Sequence, residues 1–303
     1  MNQFFTIIII TSILSIPLSL YAQDVNVNKE QTKFKVQFDY LSNYAYNGRV
    51  DSLKSPYQTT SATLNFASGL YLTGSANYLL ESGQNRFDYF EFDLGYEYKL
   101  GEKLSGGVYG TKYFYSGNAN LLNGNITSDI GATMNYDLGF LQFNNTFDLF
   151  FSNTSDFQYT PGFEKSFSIA NQNGNWNITP GISANLSTVN YYESVIDRRL
   201  NAKGPKGKLP NLPSVTNVTK VNNGGFKLLD LEITVPISYE IGKWGFTFSP
   251  TLAIPKNPVY TTSYITTTSA TGSANVLTNN STPYSERNLK NTFFVQVGLS
   301  YTF

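Results

Sequence analysis

The C-terminal end of the chain alternates apolar and polar residues up to its last position. Side chains of an extended strand point alternately to opposite faces, so every second residue shares a face. One face here is entirely apolar or aromatic: Phe293, Val295, Val297, Leu299, Tyr301 and Phe303. The other face contains mainly small and polar residues. The pattern predicts a β-strand with one apolar face and one mainly polar face.

The same period of two recurs in about twelve runs from Lys33 onward, each about as long as a tilted transmembrane strand. The fourth run shows it most clearly, because Phe92 and Leu94 alternate with Glu91 and Asp93. Beyond the N-terminal segment, the apolar residues never form the run of about 18 that a membrane-spanning helix needs. Any insertion into a membrane must therefore use strands.

Two of the runs are less simple. The fifth, from Val108 to Tyr115, has a facing that its sequence does not determine. The eighth places Lys165 on the same face as Phe163 and Phe167, where a lysine at the membrane midplane would cost about 2 to 4 kcal/mol. We expect a bulge near Lys165, a side chain that reaches the membrane surface, or a different position for this run.

The connections between the runs alternate between short and long. Those after the second, fourth, sixth, eighth and tenth runs are a few residues long, and the others are longer, with two very long loops at 191–225 and 255–288. Outer-membrane barrels have short periplasmic turns and long extracellular loops. The sequence therefore predicts an all-β fold: a transmembrane antiparallel up-and-down β-barrel of about twelve strands over residues 33–303.

A secreted β-sandwich is the soluble alternative to this barrel. It would explain the alternation but neither the unequal connections nor the composition. Aromatic residues make up 16% of the chain, with 22 Tyr and 23 Phe, and charged residues only 14%. Soluble domains contain roughly 25% charged residues, and tyrosine is enriched where a protein meets a membrane surface.

The composition also bears on chemistry. The chain has no His, which removes the commonest general base and metal ligand, so we expect no enzymatic activity and no metal or other cofactor. It has no Cys, and its formal net charge is zero, which gives it no overall attraction to nucleic acid.

The N-terminal segment 1–22 resembles a secretory signal, with a long apolar stretch and a small residue, Ala22, before the expected cleavage site. Its first residues carry no Lys or Arg, and a retained membrane anchor is the alternative. We expect a short periplasmic segment at 23–32 and a location in the bacterial outer membrane.

The polar faces of the strands define the expected lumen, in which carboxylates outnumber lysines. Six of them are expected to form a loose acidic belt in the outer half of the barrel: Glu91, Asp93, Asp129, Glu164, Asp230 and Glu232. An acidic ring favours cations in a pore. Alternatively, the lumen carboxylates pair with inward Lys, Arg and Tyr hydroxyls and hold the barrel rigid, or hold a calcium ion, although no calcium-loop motif is present.

One long loop contains a cluster of basic residues: Arg198, Arg199, Lys203, Lys206 and Lys208. The simpler interpretation is a solvated surface or one that faces lipopolysaccharide. The other is a gate that folds onto the acidic belt, or a mouth that attracts anions. The Ser/Thr-rich stretch 261–282 is expected to be a mobile loop.

Two resemblances support the barrel. The last strand is similar to the closing strand of bacterial outer-membrane barrels, which implies that Tyr301 and Phe303 are read by the barrel-insertion machinery. The opening of the chain resembles a conserved-hypothetical family of outer-membrane proteins of unsettled function. That resemblance is carried by Ser42, Asn43, Tyr44, Tyr46, Gly48, Ser68, Gly69, Tyr71 and Gly74; Asn47 stands where that family tends to have Arg.

We therefore expect a narrow channel for small polar solutes with a weak cation preference, in contact with outer-membrane lipid and lipopolysaccharide. The alternative is a non-conducting barrel whose extracellular loops bind a partner or surface ligand. A lumen of about twelve strands lies between the filled eight-stranded barrel and the open porin, so both a narrow and a plugged pore fit the sequence.

Overall fold

A computed structural model describes residues 31–50, 55–81, 85–116, 126–152, 154–171, 174–190, 214–222, 225–258, 260–268, 274–279 and 289–303. The described strands are β1 (Lys33–Leu41), β2 (Ala45–Tyr46), β3 (Arg49–Val50), β4 (Tyr57–Asn65), β5 (Leu70–Leu79), β6 (Arg86–Leu100), β7 (Leu104–Tyr115), β8 (Ser128–Asp137), β9 (Gln142–Phe151), β10 (Ser155–Glu164), β11 (Phe167–Asn171), β12 (Gly174–Ile178), β13 (Gly181–Ser187), β14 (Ser214–Asn222), β15 (Lys227–Thr234), β16 (Ile237–Ile241), β17 (Trp244–Pro255), β18 (Tyr260–Thr268), β19 (Ala274–Asn279) and β20 (Thr292–Thr302). Within these residues no helix is both long and apolar enough to cross a membrane.

The main sheet closes on itself. Strands that follow one another along the chain pair antiparallel, and β20 pairs with both β1 and β17. The result is a closed antiparallel barrel of 12 strands, as the sequence predicted. Closure leaves these strands without the free edges that an open sheet would expose.

Three of the 12 barrel strands are interrupted once. The pairs β10–β11, β12–β13 and β15–β16 each form one strand with a gap, at Lys165–Ser166, Thr179–Pro180 and Val235–Pro236. Proline has no N–H to donate to a ladder, so the pairing is interrupted there, but the proline carbonyls still accept. The amide of Lys165 donates to the Pro180 carbonyl (3.1 Å), and that of Thr179 to the Pro236 carbonyl (2.9 Å).

This gap explains the position of Lys165. The side chain lies on the outer face, exposed, where the strand pairing is interrupted, and its Nζ lies 5.6 Å from the centre of the Phe167 ring. The eighth barrel strand also begins earlier than the sequence indicated, at Ser155.

The two faces of the barrel wall differ in character. On β6, Phe92 and Leu94 point outward with 55% and 54% of their surface exposed, while Glu91 and Asp93 point inward. The register also determines the facing of β7, because Tyr113 lies opposite Glu91 and Thr111 opposite Asp93. The odd-numbered residues of β7 therefore face the lumen.

Aromatic rings surround the junction between the first and last strands. Phe303 lies 5.5 Å from Phe34 and 4.8 Å from Tyr301, which in turn lies 4.8 Å from Trp244. The amide of Phe303 donates to the Phe34 carbonyl (2.8 Å). These contacts join β20 to both of its neighbours. A role of Tyr301 and Phe303 in insertion stays a prediction.

Two smaller sheets are separate from the sheet that forms the barrel wall. Strands β2 and β3 form a short hairpin within the connection between β1 and β4. Strands β14, β18 and β19 form a three-stranded antiparallel sheet that joins the two long loops. Strand β18 and strand β19 fall in the stretch that the sequence suggested was a mobile loop.

Several predictions concern segments outside the described residues. They are the signal segment 1–22, nearly all of the segment 23–32, the basic residues of the loop 191–225, and much of the loop 255–288. These stay predictions, as does the alternation of connection lengths.

Candidate functional site

The first loop of the barrel folds inward. It leaves β1 after Leu41, forms the β2–β3 hairpin and returns to β4 at Tyr57. Asn47 and Gly48 form its turn, with φ of 50° and 72°. Both values lie in the left-handed region, which Asn and Gly tolerate best, and Asn-Gly is the preferred pair for a tight hairpin turn.

The base of this hairpin is fixed to the barrel wall. The Ser42 amide donates to the Val295 carbonyl (2.9 Å), and the Val295 amide donates to the Ser42 hydroxyl (2.8 Å). Across the hairpin, the Ser55 amide donates to the Asn43 side-chain oxygen (2.9 Å). These hydrogen bonds of Ser42 and Asn43 thus fix the base of the hairpin relative to β20.

The tip of the hairpin is held against a distant part of the wall by Arg49, which is only 4% exposed. Its guanidinium donates to the carbonyls of Leu229 (3.2 Å), Lys256 (3.0 Å) and Asn257 (3.2 Å). A fourth bond, to the Asn47 carbonyl (2.7 Å), stiffens the turn itself. The first three acceptors lie on β15 and just after the end of β17.

Gly48 packs against the inner face of β15. A Cβ atom at this position would lie 2.6 Å from the Cβ of Asp230, closer than real Cβ atoms approach one another. Asp230 points inward, since it lies opposite Asn185 on β13. The hairpin starts at β1 but its tip touches β15, with β20 and β17 between them in the wall. It therefore lies inside the barrel, against the sector of the wall from β1 to β15.

Tyrosine rings pack beneath the base of the hairpin. Tyr44 lies 5.7 Å from Tyr57, Tyr57 lies 6.2 Å from Tyr89, and Tyr89 lies 5.6 Å from Tyr115. The Tyr57 hydroxyl donates to Asp88, which also accepts from Arg86 Nε (2.9 Å). This cluster fills one side of the lumen next to the hairpin.

The predicted acidic belt separates into three parts. Glu91, Asp93 and Asp129 lie together on the wall formed by β6, β7 and β8. Thr111 connects the last two, because its hydroxyl donates to Asp93 (2.9 Å) and it lies opposite Asp129 in the ladder.

Asp230 and Glu232 form a second part on β15, next to the hairpin tip. Asp230 is fully buried, and neither of its carboxylate oxygens has a hydrogen-bond partner among the described residues. Glu164 lies apart from both groups. It is opposite Gln142 at the last pair of β9 and β10, beside the short turn that precedes Gln142, and so at the short-turn end of the barrel.

Other inward carboxylates have partners that fix them in place. Asp39 accepts two bonds from Gln37 (2.9 and 2.8 Å) and one from Gln296 (3.2 Å). Asp148 accepts from the Tyr109 hydroxyl. Of these partners, the Tyr109 hydroxyl is of the kind that the structural alternative named, and the two glutamines are not. Among the described residues, no group of three or more acidic side chains is placed to hold a metal ion.

Sequence reasoning missed the inward hairpin and Arg49. The signal for the turn was present in Asn47–Gly48, between residues of β-type character. Its direction was not, because the contacts of Arg49 are with residues about 200 positions away in the chain.

No known protein-family model and no curated protein sequence matches this chain. Several solved structures are similar in arrangement. The KdgM porin shares 10% identity over 89% of this chain and 99% of its own, with a TM-score of 0.45. The KdgM porin in complex with disordered oligogalacturonate shares 11% identity over 89% of this chain and 99% of its own, with a TM-score of 0.45. OmpF of Salmonella typhi in complex with daunomycin shares 10% identity over 90% of this chain and 97% of its own, with a TM-score of 0.31. The barrel assignment rests on the strand pairing of this chain.

Proposed function

We propose that the protein is a bacterial outer-membrane barrel that conducts small polar solutes through a narrow lumen, with a weak preference for cations. The observation that carries the proposal is the contrast between the two faces of one closed wall. Apolar side chains about half exposed, such as Phe92 and Leu94, would be unfavourable in water and favourable in lipid. The opposite face carries hydroxyls and carboxylates, which suit a hydrated path.

The hairpin supports a narrow rather than a wide path. A 12-stranded barrel spaced at about 4.8 Å has a backbone radius of about 12 Å, and inward side chains take up about half of it. A hairpin that lies inside such a lumen, between β1 and Asp230 on β15, reduces it further. Small hydrated solutes are therefore the expected cargo.

The cation preference follows from the charges along the path. Glu91, Asp93 and Asp129 line one side, and Asp230 and Glu232 lie near the hairpin tip on the other. Carboxylates in a narrow pore raise the local concentration of cations. Arg49 offsets part of this charge near Asp230, so the preference should be weak.

Planar-bilayer recording tests this function. The purified protein should give stable unitary steps, and a salt gradient should shift the reversal potential toward that of the cation. Glu91→Gln should weaken the shift, while the same substitution at Glu102, in the exposed turn between β6 and β7, should leave it unchanged. Equal selectivity of the two variants would remove the belt from the explanation.

A second function is favoured by one observation, the three-stranded sheet of β14, β18 and β19. Two long loops that build a common sheet form an ordered surface on which a partner or surface ligand can bind. In that case the barrel is a non-conducting support. Folded protein, recognised by its heat-modifiable mobility in a gel, would then give no steps in a bilayer.

A further inference from the structure

The wall formed by β5 to β9 combines aromatic rings with carboxylates in a regular order. In one transverse row of the ladder, Tyr71 lies opposite Gly95 and Tyr109 lies opposite Gly131. A Cβ atom on Gly95 would come within 2.5 Å of three atoms of the Tyr71 side chain, and Tyr109 lies across Gly131 in the same way. Each ring therefore covers a glycine with one face and turns the other toward the lumen.

The next transverse row carries the negative charge. Asp93 and Asp129 alternate with Thr73 and Thr111, two residues along each strand from the tyrosine row. Asp129 is 4% exposed, and its Oδ1 has no hydrogen-bond partner among the described residues. A buried carboxylate without a donor or a counter-charge is costly, and the positive charge of a bound ligand would lower that cost.

Positive side chains are nearly absent from this wall. Among the inward positions of β5 to β9, which the structure describes throughout, the cations are Arg86 and Lys99. Arg86 is bonded to Asp88 at one end of β6, and Lys99 lies beside the Gly101 turn at the other. The tyrosines and carboxylates between them have no cation of their own.

We propose that this wall, composed of Tyr71, Tyr109, Asp93 and Asp129, is a binding track for organic ammonium ions. The inference rests on the proposed channel function and specifies its solute class. An alkali ion must give up tightly held water to contact a tyrosine face, whereas a weakly hydrated alkylated ammonium ion gains from the carboxylates and from the exposed tyrosine faces. Such contacts between a cation and a ring are a common means of recognising quaternary ammonium groups.

The test compares choline with 3,3-dimethylbutan-1-ol, its neutral analogue of the same shape. Choline should produce concentration-dependent interruptions of a potassium current through single channels, and the neutral alcohol should not. Interruptions of equal strength from both compounds would show that the track binds shape or apolar surface, and would overturn the assignment.

Variants of the rings identify the site. Tyr71→Leu and Tyr109→Leu should each weaken the choline effect about two- to thirtyfold. The separate Tyr→Phe variants keep the ring and should retain most of the effect. Tyr96→Leu removes a ring on the outer face of β6 and should change nothing. Choline block that is insensitive to both inward leucine variants contradicts the proposal, provided that gel mobility shows folded barrels.

Calorimetric titration of choline into the detergent-solubilised barrel separates this inference from the channel. Steps in the bilayer without choline binding would leave the channel standing and refute the track. Choline binding that is lost in Tyr109→Leu, from a barrel that never conducts, would support the track and refute the channel. Absence of both would refute both.

Discussion

Removal of Arg49 should release the hairpin tip from the wall at β15 and β17. Its guanidinium makes three bonds to this part of the wall, to the carbonyls of Leu229, Lys256 and Asn257. In Arg49→Met all three are lost, while the apolar stem of the side chain is approximately retained. The Leu229 carbonyl keeps another partner, because the Lys256 amide also donates to it (2.6 Å).

The size of the effect follows from these contacts. A hydrogen bond to a charged group contributes roughly 1.5 to 3 kcal/mol, and bonds that share one donor group are not additive. We take roughly 3 kcal/mol for the three Arg49 hydrogen bonds together, which corresponds to about a hundredfold increase in the fraction of molecules whose hairpin has left the wall.

Single-channel recording reports this change directly. The Arg49→Met protein should show a larger unitary conductance or frequent transitions to a wider level, because the released hairpin no longer holds its fixed position inside the lumen. Lys112→Met is the control, since Lys112 lies opposite Phe92 on the outer face and also loses one positive charge. A folded Arg49→Met barrel with the conductance and noise of the unmodified protein would refute the constriction.

Three further predictions follow from individual contacts. Gly48→Ala should open the pore as Arg49→Met does, whereas Gly242→Ala, which has a similar positive φ but no atom within 4 Å of the new Cβ, should not; conductance distinguishes them. Leu94→Lys on the outer face should destabilise the barrel by about 2 to 4 kcal/mol in urea titrations in lipid vesicles, while Thr133→Lys in the lumen should be tolerated. Phe303→Ala removes ring contacts at the closing strand pair and should slow assembly into vesicles without altering the conductance of the barrels that form.

The wall of the barrel was predictable because it depends on local order. A period of two along each strand separates Phe92 from Asp93, and closure then requires only that each strand pairs with its neighbours. The interruptions were also present in the sequence, at Pro180 and Pro236, although their effect on Lys165 depends on which residues lie opposite them.

The interior was less predictable because it depends on distant contacts. Alternation assigns a residue to the lumen, but not to a height or to a partner, so it places Glu164 and Asp129 in one belt although the register separates them. The hairpin lies inside the barrel between β1 and β15, and its position is determined by Arg49 and by the close approach of Gly48 to Asp230.

Cysteine scanning of β6 provides the most direct test that this wall has lipid on one side and water on the other. The chain has no Cys, so nitroxide labels can be placed singly at Phe90, Phe92, Leu94, Glu91, Asp93 and Glu97 in vesicles without background. Labels at the even positions should be reached preferentially by lipid-soluble oxygen, and those at the odd positions by a water-soluble nickel complex. Equal access at all six positions, or the reverse order, would contradict a lipid-facing exterior and a hydrated lumen.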